Sequence, residues 1–368
     1  MRCLYICDTP YQLLNVLNIV FHEKSTDKKG FRELFIINQF RTAEKVAEHV
    51  KQKKLFDDVY ILSRDETKFL PVGLRRNLAM AFDFLTPINF MRKRLGKKQF
   101  EKIGNLKNQY DYIYASGAFS TVAAMLKINP QATFIMYDDG LGSYSGDYIY
   151  RSSGGKANRI FCRIFHVGSD ICRPVKLLVN NVELCKSSSV DKKDIIALPA
   201  FDDEFIVFAE DVFQFEKDND DTNMIWLTQP LDSTLGGVET RECVKSVLLS
   251  FKSKISVRLH PRDFDTDYYD DFAICNNQNL WELCLIRKNN NKLVLISYYS
   301  SAQFTPKMLF DLEPVVIFTY SMNKYISDQD RRSFDSATDD LKKVYKNPEK
   351  IIHPQDEAEL REILEGLV

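Results

Sequence analysis

The sequence predicts two α/β domains, each a Rossmann-type parallel sheet covered by helices, facing one another across a cleft. Three observations predict it. The chain has 368 residues, enough for about two domains. Short β-type runs alternate with longer amphipathic stretches, which is the pattern of a parallel sheet with helices on both faces. The alternation then breaks off at the polar run Glu216–Thr222 and restarts beyond it, as it does at a domain linker.

The first domain, residues 1–215, opens with a buried strand at Cys3–Cys7. Pro10 then starts a helix that runs through Asn18 and beyond, because the first helical turn has no use for the N–H that proline lacks. Further strands are expected at Glu33–Asn38, Val59–Leu62, Tyr112–Ala115 and Thr133–Tyr137, with helices at Ala43–Lys53, Leu74–Met91 and Phe119–Ile128. From Ser152 to about Asp221 the pattern is less regular. The second domain, residues 222–330, alternates again. Its strands are Met224–Leu227, Ile255–Leu259, Leu293–Ser297 and Val315–Phe318, and its helices Glu239–Phe251, Asn279–Lys288 and Pro306–Leu312. Residues 331–368 are read as closing helices, Asp335–Val344 and Asp356–Leu367.

Composition narrows the function. Hydrophobic residues make up 45% and charged residues 27%, and 50 basic side chains against 51 acidic ones leave a net charge of −1. That balance gives no reason to expect nucleic acid as a partner. The eight cysteines form no CxxC pair and none stands at zinc-finger spacing from a histidine, so they read as buried reduced thiols, as in the cytoplasm. The first apolar run is too short for a signal peptide, and nowhere is there a run of the roughly twenty apolar residues that span a bilayer. No Walker lysine motif, GxGxxG fingerprint or GxSxG elbow is present.

Parallel α/β sheets bind ligands beyond the C-terminal ends of their strands, which directs the search for chemistry. His260-Pro261-Arg262 follows one such strand, where a histidine can protonate or hydrogen-bond a phosphate near neutral pH. His353-Pro354 is read as helix-start punctuation instead. Asp138-Asp139-Gly140 combines two carboxylates with a turn glycine, suited to acid–base work or ligand contact, though an ordinary turn uses the same residues. Adjacent carboxylates lack the Asp-x-Asp spacing of a metal site, and no metal is inferred. Gln229, Asp232 and Gly236 follow the first strand of the second domain, with Asp232 placed to act as a base or to cap a helix. Ser300 and Ser301 enter a helix and offer hydroxyls to a phosphate or carboxylate. Asp8 and Thr9 follow the first strand, and Ser116 the strand at Tyr112–Ala115, from the first domain's side of the cleft.

Taken in order, CDTPYQ, IYASGAFSTVAAML, YDDG, LPAFDDE, TQPLD, RLHPR and SYYSSAQFTPKML resemble the bacterial lipooligosaccharide and capsule sialyltransferases of glycosyltransferase family 52. Bacterial polysialyltransferases share the acidic-Gly and His-Pro signatures. The resemblance runs from about Leu4 to about Phe318. It implies a GT-B-like fold and metal-independent, inverting transfer of sialic acid from CMP-sialic acid to a galactoside of a surface glycan. It further implies a donor held mainly by the C-terminal domain, with His260 at the donor phosphate and Ser300 and, less closely matched, Ser301 beside it. Gln229, Pro261, Arg262 and Gly236 line the donor side. Asp8, Thr9, Ser116, Asp139 and Gly140 line the acceptor side. Two bases stay open: Asp232, whose match requires one extra residue because Leu231 separates it from Pro230, and Asp138. The partners implied are a nucleotide-sugar donor and a glycan or glycolipid acceptor, and a homodimer is compatible with the pattern. A UDP-sugar hexosyltransferase and a sugar-nucleotide epimerase are the alternatives.

Residues Leu74–Lys102 are both apolar and basic, with Arg75-Arg76, Arg92-Lys93-Arg94 and Lys97-Lys98. Such a stretch packs one face on a core and leaves a basic face in solvent. It also suits contact with anionic lipid on the cytoplasmic side of the inner membrane.

Overall fold

The computed structural model describes the chain except residues 26–29, 41, 64–73, 103–109, 118–119, 147–155, 217–221, 232–233, 261–266, 276–278 and 289–291. It divides into two compact units, Met1–Phe213 and Gln214–Val368. Most of the expected linker run falls outside the described residues.

Unit 1 is built on a seven-stranded parallel sheet. Its strands are β1 (Arg2–Cys7), β2 (Phe31–Asn38), β3 (Asp58–Ser63), β4 (Tyr112–Ala115), β5 (Thr133–Tyr137), β7 (Lys176–Val179) and β9 (Ile195–Ala197). They lie in the order β3-β2-β1-β4-β5-β7-β9. Two short strands, β6 (Ser145–Gly146) and β8 (Lys186–Ser187), pair separately. β1 sits centrally, with Tyr5 opposite Leu34 on one side and Tyr114 on the other. Its residues from Cys3 to Cys7 are all buried, because helices cover both faces of the sheet. The helices are α1 (Pro10–Ser25), α2 (Ala43–Lys53), α3 (Leu74–Phe82), α4 (Pro87–Lys102), α5 (Ser120–Ile128), α6 (Leu141–Tyr144), α7 (Lys156–Phe165) and α8 (Asp203–Phe213).

The single helix expected over Leu74–Met91 is two. Pro87 forces its predecessor out of the helical region, and Thr86 is extended at φ −143° and ψ 92°. Pro87 then starts α4, which kinks again at Gly96, where φ is 70°. β7 and β9 lie in the stretch that read as irregular. They are four and three residues long, and only parts of each are buried.

Unit 2 carries a six-stranded parallel sheet, β12-β11-β10-β13-β14-β15. These are β10 (Met224–Leu227), β11 (Ile255–Arg258), β12 (Ala273–Ile274), β13 (Val294–Ser297), β14 (Val315–Phe318) and β15 (Ile351–Ile352). Its helices are α9 (Gly237–Leu248), α10 (Trp281–Arg287), α11 (Thr305–Phe310), α12 (Asp328–Val344) and α13 (Glu357–Leu367). One core gathers Trp226, Val244, Ile296 and Ile317, and a second gathers Ile225, Leu285 and Leu295. These sets alternate along β10 and β13, as side chains on opposite faces of a sheet must. The segment after residue 330 does more than cap this unit. β15 pairs with β14, and Leu360 and Leu364 of α13 enter the first core.

Candidate functional site

Both sheets reverse direction of growth at their first strand, between β1 and β4 in unit 1 and between β10 and β13 in unit 2. The C-terminal ends of strands at such a switch are where open α/β sheets hold ligands.

In unit 1 the chain after β1 turns directly into α1. Thr9 Oγ1 caps the helix by accepting from Gln12 N at 3.2 Å. Gln12 is buried and joins two strand ends. Its Oε1 accepts from Asp8 N at 2.7 Å, and its Nε2 donates to Asp139 Oδ1 at 2.5 Å. Asp8 Oδ2 in turn accepts from Gln39 Nε2 at 3.1 Å. Ser116, just past β4, is fully buried and its hydroxyl has no hydrogen-bond partner.

The two adjacent carboxylates after β5 differ completely. Asp138 is 0% exposed. Its Oδ1 accepts from Gly140 N at 2.7 Å, and its Oδ2 from Tyr144 Oη at 2.5 Å and from Asn180 N and Nδ2 at 3.1 Å each. Burial raises its carboxyl pKa against the pull of those donors. The sequence names Asp138 as one of the two candidate bases. Here its carboxylate is spent on the protein's own donors and meets no solvent, because Tyr144 and Asn180 close over it. Asp139 is half-buried and holds the surface position, while Gly140 turns the chain at φ 82° with open space where a Cβ would stand.

In unit 2, Thr228 ties the ends of β10 and β11 together. Its N donates to Arg258 O at 3.0 Å, and its Oγ1 accepts from His260 N at 2.9 Å. His260 thus stands, half-buried, at the mouth of the sheet. Gln229 spans the switch, with its Nε2 donating to Tyr299 O at 2.5 Å and its Oε1 accepting from Tyr299 N at 2.8 Å. A pocket within this unit is lined by Thr228, Gln229, Leu231, Arg241, Tyr298 and Thr319.

No family model matches the chain, and no curated protein matches it. Solved structures do. The GT-B domain of a sialyltransferase from Photobacterium damselae aligns with 96% of this chain and 100% of its own length, at 11% identity and a TM-score of 0.51. The kitacinnamycin glycotransferase aligns over 100% and 89%, at 11% identity and a TM-score of 0.54. A Listeria monocytogenes protein assigned as a UDP-N-acetylglucosamine 2-epimerase aligns over 100% and 87%, at 12% identity and a TM-score of 0.51.

The chain has the GT-B fold. Within its two Rossmann-type units, several expected site residues make structural contacts of their own. The Gln229 amide pairs with the Tyr299 backbone through both its oxygen and its nitrogen, which ties the ends of β10 and β13 together. Ser300 is buried and caps the turn Ser301–Gln303, accepting from Ala302 N at 3.3 Å in a capping box with Gln303, and Ser301 alone is exposed. Gly236 stands just before α9 at φ 70°, where a glycine is required. A side chain there would overlap Asn323 and meet Tyr325 Cδ2 at 2.7 Å, so this unit's own residues fill the space. Asp232, Pro261 and Arg262 lie outside the described residues.

The GT-B units also hold polar residues that sequence reading did not single out. Asn180 follows β7 and contacts Tyr11, Asn15 and Asp138 at once. The strand-end rule that selected Asp138 selects Asn180 equally, once the run Lys176–Val179 is recognised as a strand. Asn323 bonds Tyr298 Oη at 2.8 Å and Leu235 O at 2.9 Å. It sits in a turn that carries no sequence signal.

Proposed function

We propose that the chain is an inverting glycosyltransferase that moves sialic acid from CMP-sialic acid to a galactoside hydroxyl of a bacterial lipooligosaccharide, O-antigen or capsule. One observation carries the reading. Cys7–Gln12, Ser116, Asp138–Gly140, Thr228–Gln229, His260 and Ser297–Ser301, which belong to the motifs of the family-52 resemblance, all stand at or just past the C-terminal end of a strand in a GT-B chain. The likeness to a sialyltransferase domain over nearly the whole chain supports the same reading.

In the proposed reaction the acceptor hydroxyl oxygen bonds to the anomeric carbon as the bond from that carbon to the CMP phosphate oxygen breaks. The hydroxyl proton passes to a carboxylate, for which Asp232 is the candidate. His260 hydrogen-bonds or protonates the departing phosphate and offsets its charge. Asp8 and Asp139 accept hydrogen bonds from acceptor hydroxyls, and Asp138 keeps the turn that presents Asp139. We propose that no metal takes part.

The test is product formation from CMP-sialic acid and a galactoside acceptor in the presence of EDTA, comparing the parent with His260→Ala. The expected result is sialylated product from the parent and a loss of about 10²–10⁴-fold in the variant. No product and no CMP release from folded parent protein overturns the donor assignment. The likeness to an assigned 2-epimerase favours a second reading, conversion of a UDP-sugar without an acceptor. Incubation with UDP-N-acetylglucosamine alone separates the two.

A further inference from the structure

Unit 1 carries an apolar face that its described elements leave exposed. In α7 the inward residues at i, i+4 spacing are Asn158 and Cys162, both buried, while Ile160 and Ile164 are 61% and 65% exposed. A helix that serves only the core of its own domain does the reverse. Arg159 and Arg163 stand exposed beside the isoleucines. Helix α3 packs against α7. The last residue of α3, Phe82, is 82% exposed, and the chain beyond it adds Leu85 at 86% and Ile88 on α4 at 48%.

Charge identifies the partner. Residues 74–102 and 156–165 together hold eleven Lys and Arg against two Asp and Glu, in a chain whose net charge is −1. Of those two acids, Asp83 is buried and bonded by Lys93 at 2.6 Å and Glu101 pairs with Lys97 at 3.9 Å, while Arg92, Arg159 and Arg163 remain exposed. Pairing this face with a second copy of itself sets cations against cations, since a two-fold contact repeats the same patch on both sides. Nucleic acid matches the charge but gives the exposed isoleucines and Phe82 nothing apolar to meet. Among the described residues no helix is long and apolar enough to cross a membrane.

We propose that this face docks unit 1 on the surface of an anionic phospholipid bilayer, with Phe82, Leu85, Ile160 and Ile164 entering the acyl boundary and the flanking Arg and Lys at the level of the lipid phosphates. The inference does not rest on the reaction proposed above, and its test uses no substrate. Full-length protein is sedimented with phosphatidylcholine vesicles, with and without about one third phosphatidylglycerol. The expected result is at least about tenfold tighter binding to the anionic vesicles, weakened by salt. Phe82→Ser/Leu85→Ser and Ile160→Ser/Ile164→Ser should each lose about tenfold, because apolar area and charge both contribute. Val207→Ser removes another exposed apolar group of unit 1, 63% accessible, and should bind as the parent does. Absent parent binding, equal binding to both vesicles, unchanged binding of the double variants, or an equal loss in Val207→Ser overturns the proposal. So does parent protein that self-associates without lipid and becomes monomeric in the double variants, since the face is then an interface between copies.

Discussion

Asp138 and Asp139 are neighbours in the chain with opposite surroundings, and the difference is made by residues far from them in sequence. Tyr144 lies one turn on, but Asn180 arrives from another strand 42 positions away. His353 shows the same principle in a titrating group. Its ring stacks on Phe318 at 5.5 Å and 22°, meets Tyr320 edge-on, and leaves Nε2 without a partner. Burial, and then the nearby Lys342 charge, lower its pKa to about 4. The unfolded chain therefore takes up this proton at a higher pH than the native one. The stability due to neutral His353 is complete above about pH 6.5 and is lost as pH falls towards 4. Partial exposure limits that loss to about 1–2 kcal/mol. Denaturant titrations at pH 7 and pH 4.5 should show a smaller drop for His353→Phe than for the parent. An identical drop would assign the acid sensitivity to other groups.

At the scale of elements, the long strands and capped helices were legible and the joints between them were not. β1, β2 and β5 are runs of buried residues that announce themselves, and Pro10 marks a helix start. The proline at position 87 was visible too, yet apolar periodicity on both sides concealed its break. The joints are polar side chains that bond backbone across strands. Gln303 is the clearest, fully buried, with Oε1 accepting from Ser300 N at 3.1 Å and Nε2 donating to Ile317 O at 2.9 Å. Replacing it with leucine keeps the volume and strands both backbone groups away from water, at about 1–3 kcal/mol. Chemical denaturation should report a loss of that size in Gln303→Leu. A neutral result would mean that water enters and satisfies those groups.

Across the whole molecule, the eight cysteines are all free thiols. Six are buried, and only Cys185 and Cys243 are partly accessible. Burial raises the pKa of Cys185 and Cys243 as well, which keeps them protonated and slow near neutral pH. Alkylation of native protein followed by mass spectrometry should therefore add at most two labels slowly, against eight in denaturant. Rapid uptake of more than two would show that a segment covering a buried cysteine opens under native conditions.

The sequence by itself determined the two α/β units, most of their strands and the strand-end positions of the candidate groups. Those features follow from local period and strand-end placement, which a chain carries along its own length. Which neighbours those groups bond was decided only in three dimensions. Gln229 turned to the Tyr299 backbone, Ser300 to its own helical turn, and Asp138 inward beneath Tyr144 and Asn180. Gly236 met Asn323 and Tyr325, and the isoleucines of α7 turned outward. A polar side chain bonds whatever donor or acceptor the fold brings nearest, and that neighbour is set by packing between strands far apart in sequence.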